Sequence, residues 1–124
     1  MARSQLRSKK KVSGGRYHAA RSKKKNELAG FPALTKVEER KVRTKRVLGG
    51  NNKSYLLSTK EISVSDKKGK TVKAEIVNVV ENPANPNLVR RNILTRGAIV
   101  ETKLGKAKIT SRPGQESTVN GVLI

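Results

Sequence analysis

The residues of this chain that are best suited to chemistry are lysines and arginines, and they occur in clusters. Residues 9–11 and 23–25 are lysine triplets, and residues 43–46 contain three basic side chains in four positions. Basic side chains bind phosphate oxygens and release the counterions that phosphates hold, and arginine can bind one phosphate through paired hydrogen bonds. The clusters therefore predict contact with a polyanion such as a nucleic acid.

The charge of the whole chain supports this interpretation. Its 124 residues include 29 Lys and Arg against 9 Asp and Glu, a formal net charge of +20. Residues 1–50 carry +13 of this charge and residues 51–124 carry +7. A single lysine run is usually a solvated face. Three clusters and such a self-repelling balance favour nucleic-acid binding instead.

Catalytic and metal-binding chemistry finds little support. The only histidine, His18, has no nearby carboxylate in the sequence, so contact with RNA or solvent is expected there. The acids are scattered, the serines lack a base, and neither pair of glycines extends into a nucleotide-binding loop. The absence of cysteine excludes disulfides and thiol catalysis. We predict no enzyme activity, no metal and no cofactor.

Membrane association is not expected either. No apolar stretch approaches the roughly 18 to 20 residues of a membrane span, and residues 1–11 lack the apolar segment of a signal peptide. The sequence therefore predicts a cytoplasmic protein without a membrane partner.

The elements that position the basic residues fall into two regions. Residues 1–25 hold ten basic residues and no acid, without a sustained apolar period, which predicts a long extended basic arm. An apolar patch at 27–34 would anchor it. Residues 35–42 allow two alternatives, a short basic helix at 36–41 or irregular chain until a strand begins at Arg43. We place the arm and its anchor at 1–42.

From residue 43 to 124, short β-branched runs separated by turns predict a small antiparallel barrel or sandwich. Turns are expected at 66–69, 104–106 and 112–114, and Pro83 and Pro86 exclude a ladder in the loop 82–87. The predicted strands are 43–48, 54–65, 71–81, 88–96, 98–104, 106–111 and 118–124.

Aromatic residues are few, only Tyr17, Phe31 and Tyr55. A stacking platform for single-stranded RNA is therefore not expected, and recognition of folded RNA through its backbone and shape is favoured. Tyr17 and Tyr55 could each stack on a base, although Tyr55 fits a core position equally well.

Several ordered motifs resemble one family. They are KVSGGR at 11–16, RSKKKNELAG at 21–30, PALT at 32–35, RVLGGNNK at 46–53, NPANPNLVR at 82–90 and RGAIV at 96–100. Together they resemble the ribosomal protein S8e family of archaea and eukaryotes, in its shorter archaeal form. Ser13 stands where threonine is usual, and Ala29 is an additional residue before Gly30.

The resemblance implies an all-β fold, a small antiparallel six-stranded β-barrel with a basic arm, and a structural role without catalysis. It also implies small-subunit ribosomal RNA and other small-subunit ribosomal proteins as partners, with no small-molecule substrate and no homo-oligomer. The motifs and the charge together predict these RNA-binding residues: Arg3, Arg7, Lys9, Lys10, Lys11, Ser13, Gly14, Gly15, Arg16, Tyr17, His18, Arg21, Lys23, Lys24, Lys25, Arg43, Lys45, Arg46, Asn51 and Lys53.

Two other classes of protein share these properties. A DNA-compacting protein is also small and basic, but it acts as a free and often oligomeric protein. A module of an RNA-modification enzyme or translation factor would need a pocket with converging polar groups, which the sequence does not indicate.

Overall fold

The computed structural model describes residues 8–18, 21–24, 27–28, 30–66 and 68–124. The chain divides into two compact units, Met1–Pro32 and Ala33–Ile124. All seven strands found in the described residues belong to the second unit, and the predicted all-β fold class is confirmed. The functional boundary at residue 42, between arm and barrel domain, stays a prediction.

One closed barrel and one separate two-stranded sheet are formed by the seven strands, β1 Lys41–Arg46, β2 Asn52–Ser58, β3 Glu61–Ser65, β4 Thr71–Glu81, β5 Ile99–Thr102, β6 Gly105–Ile109 and β7 Asn120–Leu123. β3 to β7 form the barrel, with antiparallel neighbours except for the parallel pair β3 and β7 that closes it. β1 and β2 form the separate antiparallel sheet, which we call the ribbon.

Alternation along the strands builds the core inside the barrel. In β3, Ile62 and Val64 are buried while the residues between and beside them are more exposed, as a two-residue period requires. β6 does the same with Ala107 and Ile109. The buried cluster consists of Leu56, Ile62, Val64, Ile76, Val79, Leu94, Ala98, Val100, Ala107, Ile109 and Val119.

Closure of the barrel requires a glycine in β7. A Cβ atom added at Gly121 would lie 2.9 Å from the Ile62 Cδ1 atom and 3.0 Å from the Lys108 carbonyl oxygen. Both distances are shorter than ordinary packing contacts. The missing side chain at this position therefore lets β3, β6 and β7 approach one another.

The segment before the ribbon ties it to the rest of the second unit. Lys36 forms a parallel bridge with Ser58 and an antiparallel bridge with Ile93. The buried Thr35 hydroxyl donates to the Leu56 carbonyl at 2.8 Å. Of the two alternatives for residues 35–42, the irregular chain is correct, although the strand begins at Lys41 and not at Arg43. The bridges of Lys36 use backbone groups that a helix would bond internally.

The barrel has five strands where six were expected, because the ribbon forms a sheet of its own. The predicted strand 54–65 is two strands, interrupted at Thr59, whose side chain accepts a hydrogen bond from the Glu61 amide at 3.1 Å. The chain passes from the ribbon into the barrel at this point. Sequence continuity alone therefore overestimated the length of the strand.

The predicted strand 88–96 was wrong. Its first half belongs to a 3₁₀ helix, Pro86–Arg91, which has proline in its first turn. The Asn85 side chain caps this helix by accepting from the Asn87 amide at 3.0 Å, and Asn92 ends it in the left-handed conformation with φ 49°. Ile93 and Leu94 are buried without forming a named strand.

The predicted turns are confirmed. Gly69 has φ 81° and donates to the Asp66 carbonyl at 2.9 Å, while Lys67 of the same turn lies outside the described residues. The Gln115 amide donates to the Arg112 carbonyl at 2.8 Å across Pro113 and Gly114. Gly105 has φ 129° at the reversal between β5 and β6. The positive φ at Gly69 and Gly105 is a conformation that glycine adopts without strain.

Candidate nucleic-acid interface

The first predicted lysine cluster lies on a tight reversal of the chain. Lys10 and Arg16 form an antiparallel bridge, and the Tyr17 amide donates to the Lys9 carbonyl at 2.9 Å. The Lys11 amide donates to the Gly15 carbonyl at 2.8 Å, and Gly14 has φ 83°. This part of the predicted extended arm is therefore a small hairpin. We call residues 9–17 the basic loop.

The basic loop exposes all of its side chains to solvent. The Lys11 ammonium lies 5.3 Å from the centre of the Tyr17 ring, within the range of a cation–π interaction. A Cβ atom added at Gly14 would meet no atom within 4 Å. Glycine is therefore required at this position by its positive φ and not by crowding, and the loop has open space above it.

Farther along the first unit, Arg21 forms an ion pair with Glu27. Its guanidinium donates to both carboxylate oxygens of Glu27, at 2.5 and 3.0 Å, and the Lys24 amide donates to the same carboxylate at 3.1 Å. These hydrogen bonds, first that of Arg21 and then that of Lys24, lower the pKa of Glu27, and the same contact raises the pKa of Arg21. Glu27 is the only acid among the first 37 residues.

The ribbon holds the other group of predicted residues. Its register places Arg43 opposite Tyr55 and Lys45 opposite Lys53. Opposed residues of an antiparallel pair point to the same face, so these four side chains share one face of the ribbon. Tyr55 is half-buried, and every residue of β1 is exposed. Tyr55 is neither in the buried core cluster nor among the partly buried residues packed against it, and its stacking on a base stays a prediction.

The ribbon concentrates positive charge without balancing it. Like charges directly opposite one another destabilise a strand pair, and Lys45 and Lys53 stand in that arrangement. Residues 41–58 include five basic residues and no acid. Within the described part of the chain, no carboxylate lies at ion-pair distance from Arg43, Lys45 or Arg46. Lys53 donates to the side-chain oxygen of Gln115.

The tip of the ribbon is an ordered turn. The Val47 amide donates to the Asn51 carbonyl at 2.7 Å, and Leu48–Gly50 form a short 3₁₀ turn. Gly49 and Gly50 have φ 75° and 78°. The Asn51 side-chain amide donates to the Leu48 carbonyl at 3.4 Å, so this predicted contact residue has a structural role in the turn. Leu48 is 96% exposed.

The structure thus brings the predicted residues together in two places. Lys9, Lys10, Lys11, Ser13, Gly14, Gly15, Arg16 and Tyr17 lie on the basic loop, while Arg43, Lys45, Arg46, Asn51 and Lys53 lie on the ribbon. His18, Lys23 and Lys24 are exposed and belong to the first unit, as does the ion-paired Arg21. Arg3, Arg7 and Lys25 lie outside the described residues.

Some features of the second unit lie outside the predicted site residues. Arg90, Arg91 and Arg96 can bind phosphate by their chemistry alone, and the structure exposes Arg90 and Arg91 at the end of the 3₁₀ helix and Arg96 shortly after it. Gln115 supports Lys53 from a distant loop, which no local pattern indicates. Leu48 could have been noticed, because an apolar residue before two glycines in a basic segment is unusual.

Small-molecule and metal chemistry gain no support from the described residues. No group of three or more His, Cys, Asp or Glu that could hold a metal occurs among them. A pocket of about 130 Å³ beside β3 is lined by residues that include Arg40, Glu61 and Lys73. This is smaller than the several hundred Å³ typical of ligand sites. In the part of the chain that is described, no helix is long and apolar enough to cross a membrane.

Fold and charge together define a class, a small all-β protein with a compact barrel and strongly basic appendages. Over residues 4–124 the chain matches the family model of Ribosomal protein S8e. It is 53% identical over 121 residues to the small ribosomal subunit protein eS8 of Methanocorpusculum labreanum, with 97% of each chain covered. The eS8 protein of Methanobrevibacter smithii is 48% identical over the full length of both chains.

A third relative, the eS8 protein of Nanoarchaeum equitans, is 51% identical over 97% of this chain and 95% of its own. The chain therefore belongs to the ribosomal protein S8e family, as its motifs predicted. This is a family of ribosomal structural proteins, and the chain is not an enzyme.

Proposed function

We propose that this chain is a structural constituent of the small ribosomal subunit that binds folded ribosomal RNA through the basic loop and the ribbon. Family membership supports the ribosomal role, since the relatives at about half identity are named as small-subunit proteins. The proposed location is accordingly the cytoplasmic ribosome, with other small-subunit proteins as neighbours.

The observation that carries the RNA-binding part is the ribbon. Two lysines oppose one another there, and no carboxylate among the described residues balances the face that they share with Arg43. A bound phosphate between or beside the two ammonium groups would turn this repulsion into attraction. Counterions released from the RNA would add a favourable entropy term.

The basic loop offers a second contact of a different kind. Its exposed lysines and Arg16 surround a glycine turn with open space above Gly14, so a phosphate backbone can approach the main chain closely. The Lys11 and Tyr17 pair presents a charge beside an aromatic ring, which suits a nucleotide with its phosphate and base. The remaining predicted residues of the first 25 positions are proposed contacts by their charge.

The test compares binding to small-subunit ribosomal RNA for two triple variants of the full chain. One replaces Lys9, Lys10 and Lys11 with glutamine, and the other replaces Lys68, Lys70 and Lys73 on the β3–β4 hairpin of the barrel. Both remove the same charge. The proposal expects a clearly larger loss of affinity, and a flatter salt dependence, for the loop variant. Equal losses would mean that net charge alone determines binding.

A competition experiment distinguishes the DNA-compacting alternative. Binding to the ribosomal RNA should persist in an excess of duplex DNA, and a tagged copy should sediment with small subunits through a moderate-salt wash. A chain that transfers to DNA in the competition, and sediments away from subunits, would instead belong to the compacting class.

A further inference from the structure

The tip of the ribbon combines two features that no assigned role explains, an exposed leucine and a surrounding set of cations. Leu48 is 96% exposed, and Val47 beside it is 38% exposed. The basic strand residues nearest the tip are Arg46 and Lys45 on β1 and Lys53 on β2, and Arg46 stands opposite Asn52. An apolar side chain in this position loses the free energy that burial would provide unless a partner covers it.

The position of Leu48 is fixed by the chain. Two consecutive glycines with positive φ form the turn, and the Val47 and Asn51 backbone bond closes it at 2.7 Å. The Asn51 side chain bonds to the Leu48 carbonyl itself. Leu48 is thus almost fully exposed within an ordered turn. Because Gly49 and Gly50 have no side chains, a partner can approach the backbone beside the leucine.

We infer that Leu48 is an apolar wedge that packs against the face of an RNA base, while Arg46, Lys45 and Lys53 hold the flanking phosphates. The inference rests on the proposed function and specifies how the ribbon tip engages the same RNA. RNA is the partner that matches both features, because its base faces are apolar and lie between regularly spaced phosphates. An apolar residue that inserts beside a base is an established mode of nucleic-acid contact.

Charge complementarity favours RNA over a protein partner. A protein pocket for Leu48 would need an acidic rim to face Arg46, Lys45 and Lys53, because segment 41–58 contains no acid of its own. Every nucleotide of RNA supplies such a negative charge. Leu48 and the cations therefore fit one ligand chemistry, and the wedge contributes by apolar contact while the cations contribute by phosphate neutralisation.

The chain offers a matched control at the tip of the barrel hairpin between β5 and β6. Leu104 is 51% exposed in the turn that connects these strands, with Lys103 and Lys106 beside it. The charge there is balanced, since Lys103 pairs with Glu75 at 2.5 Å and Lys106 stands opposite Glu101. Leu48→Ala and Leu104→Ala are thus the same change at two exposed turns with different charge surroundings.

The experiment measures binding of the full chain and both variants to small-subunit ribosomal RNA over a range of salt concentrations, with chemical probing of base accessibility. We expect Leu48→Ala to weaken binding roughly tenfold, the scale expected for lost leucine burial, without changing the salt dependence. We also expect one or two bases that the unaltered chain protects to become reactive. Leu104→Ala should match the unaltered chain, and both variants should keep its melting temperature because the leucines are exposed.

The outcomes separate the inference from the function on which it rests. If the unaltered chain fails to bind the RNA, the proposed function is wrong. If it binds and Leu48→Ala binds equally well with the same protected bases, the wedge is wrong and the function stands. If Leu48→Ala binds naked RNA normally but fails to join assembled subunits, the leucine packs against a protein and the inference is overturned.

Discussion

The ribbon and the barrel are both built mainly from antiparallel strand pairs, but they differ in burial and in charge. All six residues of β1 are exposed, whereas β3 buries Ile62 and Val64. The ribbon opposes two lysines without a nearby carboxylate among the described residues. The barrel opposes Glu101 to Lys106, and its one opposed pair of acids in the described register, Glu61 and Glu75, is compensated because Glu75 pairs with Lys103. The same kind of strand pairing thus serves a self-contained core in one region and an uncompensated charged surface in the other.

This difference indicates which region needs a partner. Burial of apolar surface is the dominant stabilising contribution to a fold, and the barrel has it. The outer part of the ribbon has little to bury and an internal repulsion to overcome. A polyanion would supply the missing attraction, so under the proposed function one ligand would serve both the stability and the role of the ribbon.

The largest expected effect is on the free energy of unfolding, and it concerns Leu56, where the ribbon joins the core. Leu56 lies on β2 but is only 1% exposed, and its amide donates to the Pro113 carbonyl at 3.0 Å. Leu56→Ala should lower the free energy of unfolding by roughly 2 to 5 kcal/mol, because it leaves a cavity in the packed cluster. Urea denaturation of the purified variant measures this change.

The neighbouring Leu57 is the control, since it is 40% exposed and points away from the core. Leu57→Ala should change the unfolding free energy by less than about 1 kcal/mol. Similar losses of unfolding free energy at the two positions would mean that Leu57 also packs in the core, contrary to its exposure.

The next effect concerns RNA binding by the two regions at equal charge. Replacing both Lys45 and Lys53 with glutamine should weaken binding to small-subunit ribosomal RNA about tenfold or more. The slope of log affinity against log salt concentration should also fall by the amount expected for about two lost phosphate contacts. Replacing Lys106 and Lys108 on β6 removes the same charge from the barrel. That variant should lose much less affinity, and filter binding at several salt concentrations compares the two. A barrel variant that loses as much would make the ribbon no more than one part of a diffuse cationic surface.

A smaller effect concerns one substitution that should stabilise the free protein and weaken its binding to RNA. Lys45→Thr removes the repulsion with Lys53, so it should raise the unfolding free energy of the free protein by about 0.2 to 1 kcal/mol at low salt. The gain should shrink at high salt, where the repulsion is screened. The same variant should bind RNA more weakly. Thermal melting at two salt concentrations, with and without RNA, measures all three results.

Lys73→Thr on β4 is the matched control for that variant. Lys73 stands opposite Ser63, so its removal relieves no like-charge pair. We expect no gain in stability at low salt from this change. A gain as large as that of Lys45→Thr would point to the strand preference of threonine as the cause, and not to relieved repulsion.

Local patterns predicted much of the barrel. The alternation around Ile62 and Val64 and the turn at Gly69 appear directly in the sequence, because a two-residue period and a positive φ are local requirements. The segment 88–96 was wrong because its apolar residues fit a strand equally well. The cap of Asn85 and the left-handed Asn92 that end the 3₁₀ helix are geometric features that composition does not distinguish.

The candidate site shows the same limit. Clustered charge indicated which segments could meet RNA, but not that Lys45 and Lys53 oppose one another, since that follows only from the strand register. The pairing of Arg21 with Glu27 was also hidden, because six residues separate them in a segment without helical spacing. The sequence thus located the charged residues, whereas the residues that lie beside them could be identified only from the fold.

The smallest expected effect tests whether the barrel balances its own charge. The hydrogen bond and the positive charge of Lys103 lower the pKa of Glu75. A carboxylate with a lowered pKa in the folded state stabilises the fold above its unfolded pKa, and that contribution is lost as the pH falls through the folded pKa. Both side chains are well exposed, so solvent should keep the contribution to stability small.

The pKa itself is therefore the better measurement, by NMR titration of the Glu75 side chain. Lys103→Gln should raise the pKa of Glu75 toward its ordinary value, whereas Lys45→Gln on the ribbon should leave it unchanged. Addition of salt should also raise it in the unaltered chain, because part of the attraction is screened. A pKa that does not respond to Lys103→Gln would show that the contact does not persist in solution. Glu75 would then face Glu61 without this ion pair, and the electrostatic contrast between barrel and ribbon would be reduced to the register of Glu101 and Lys106.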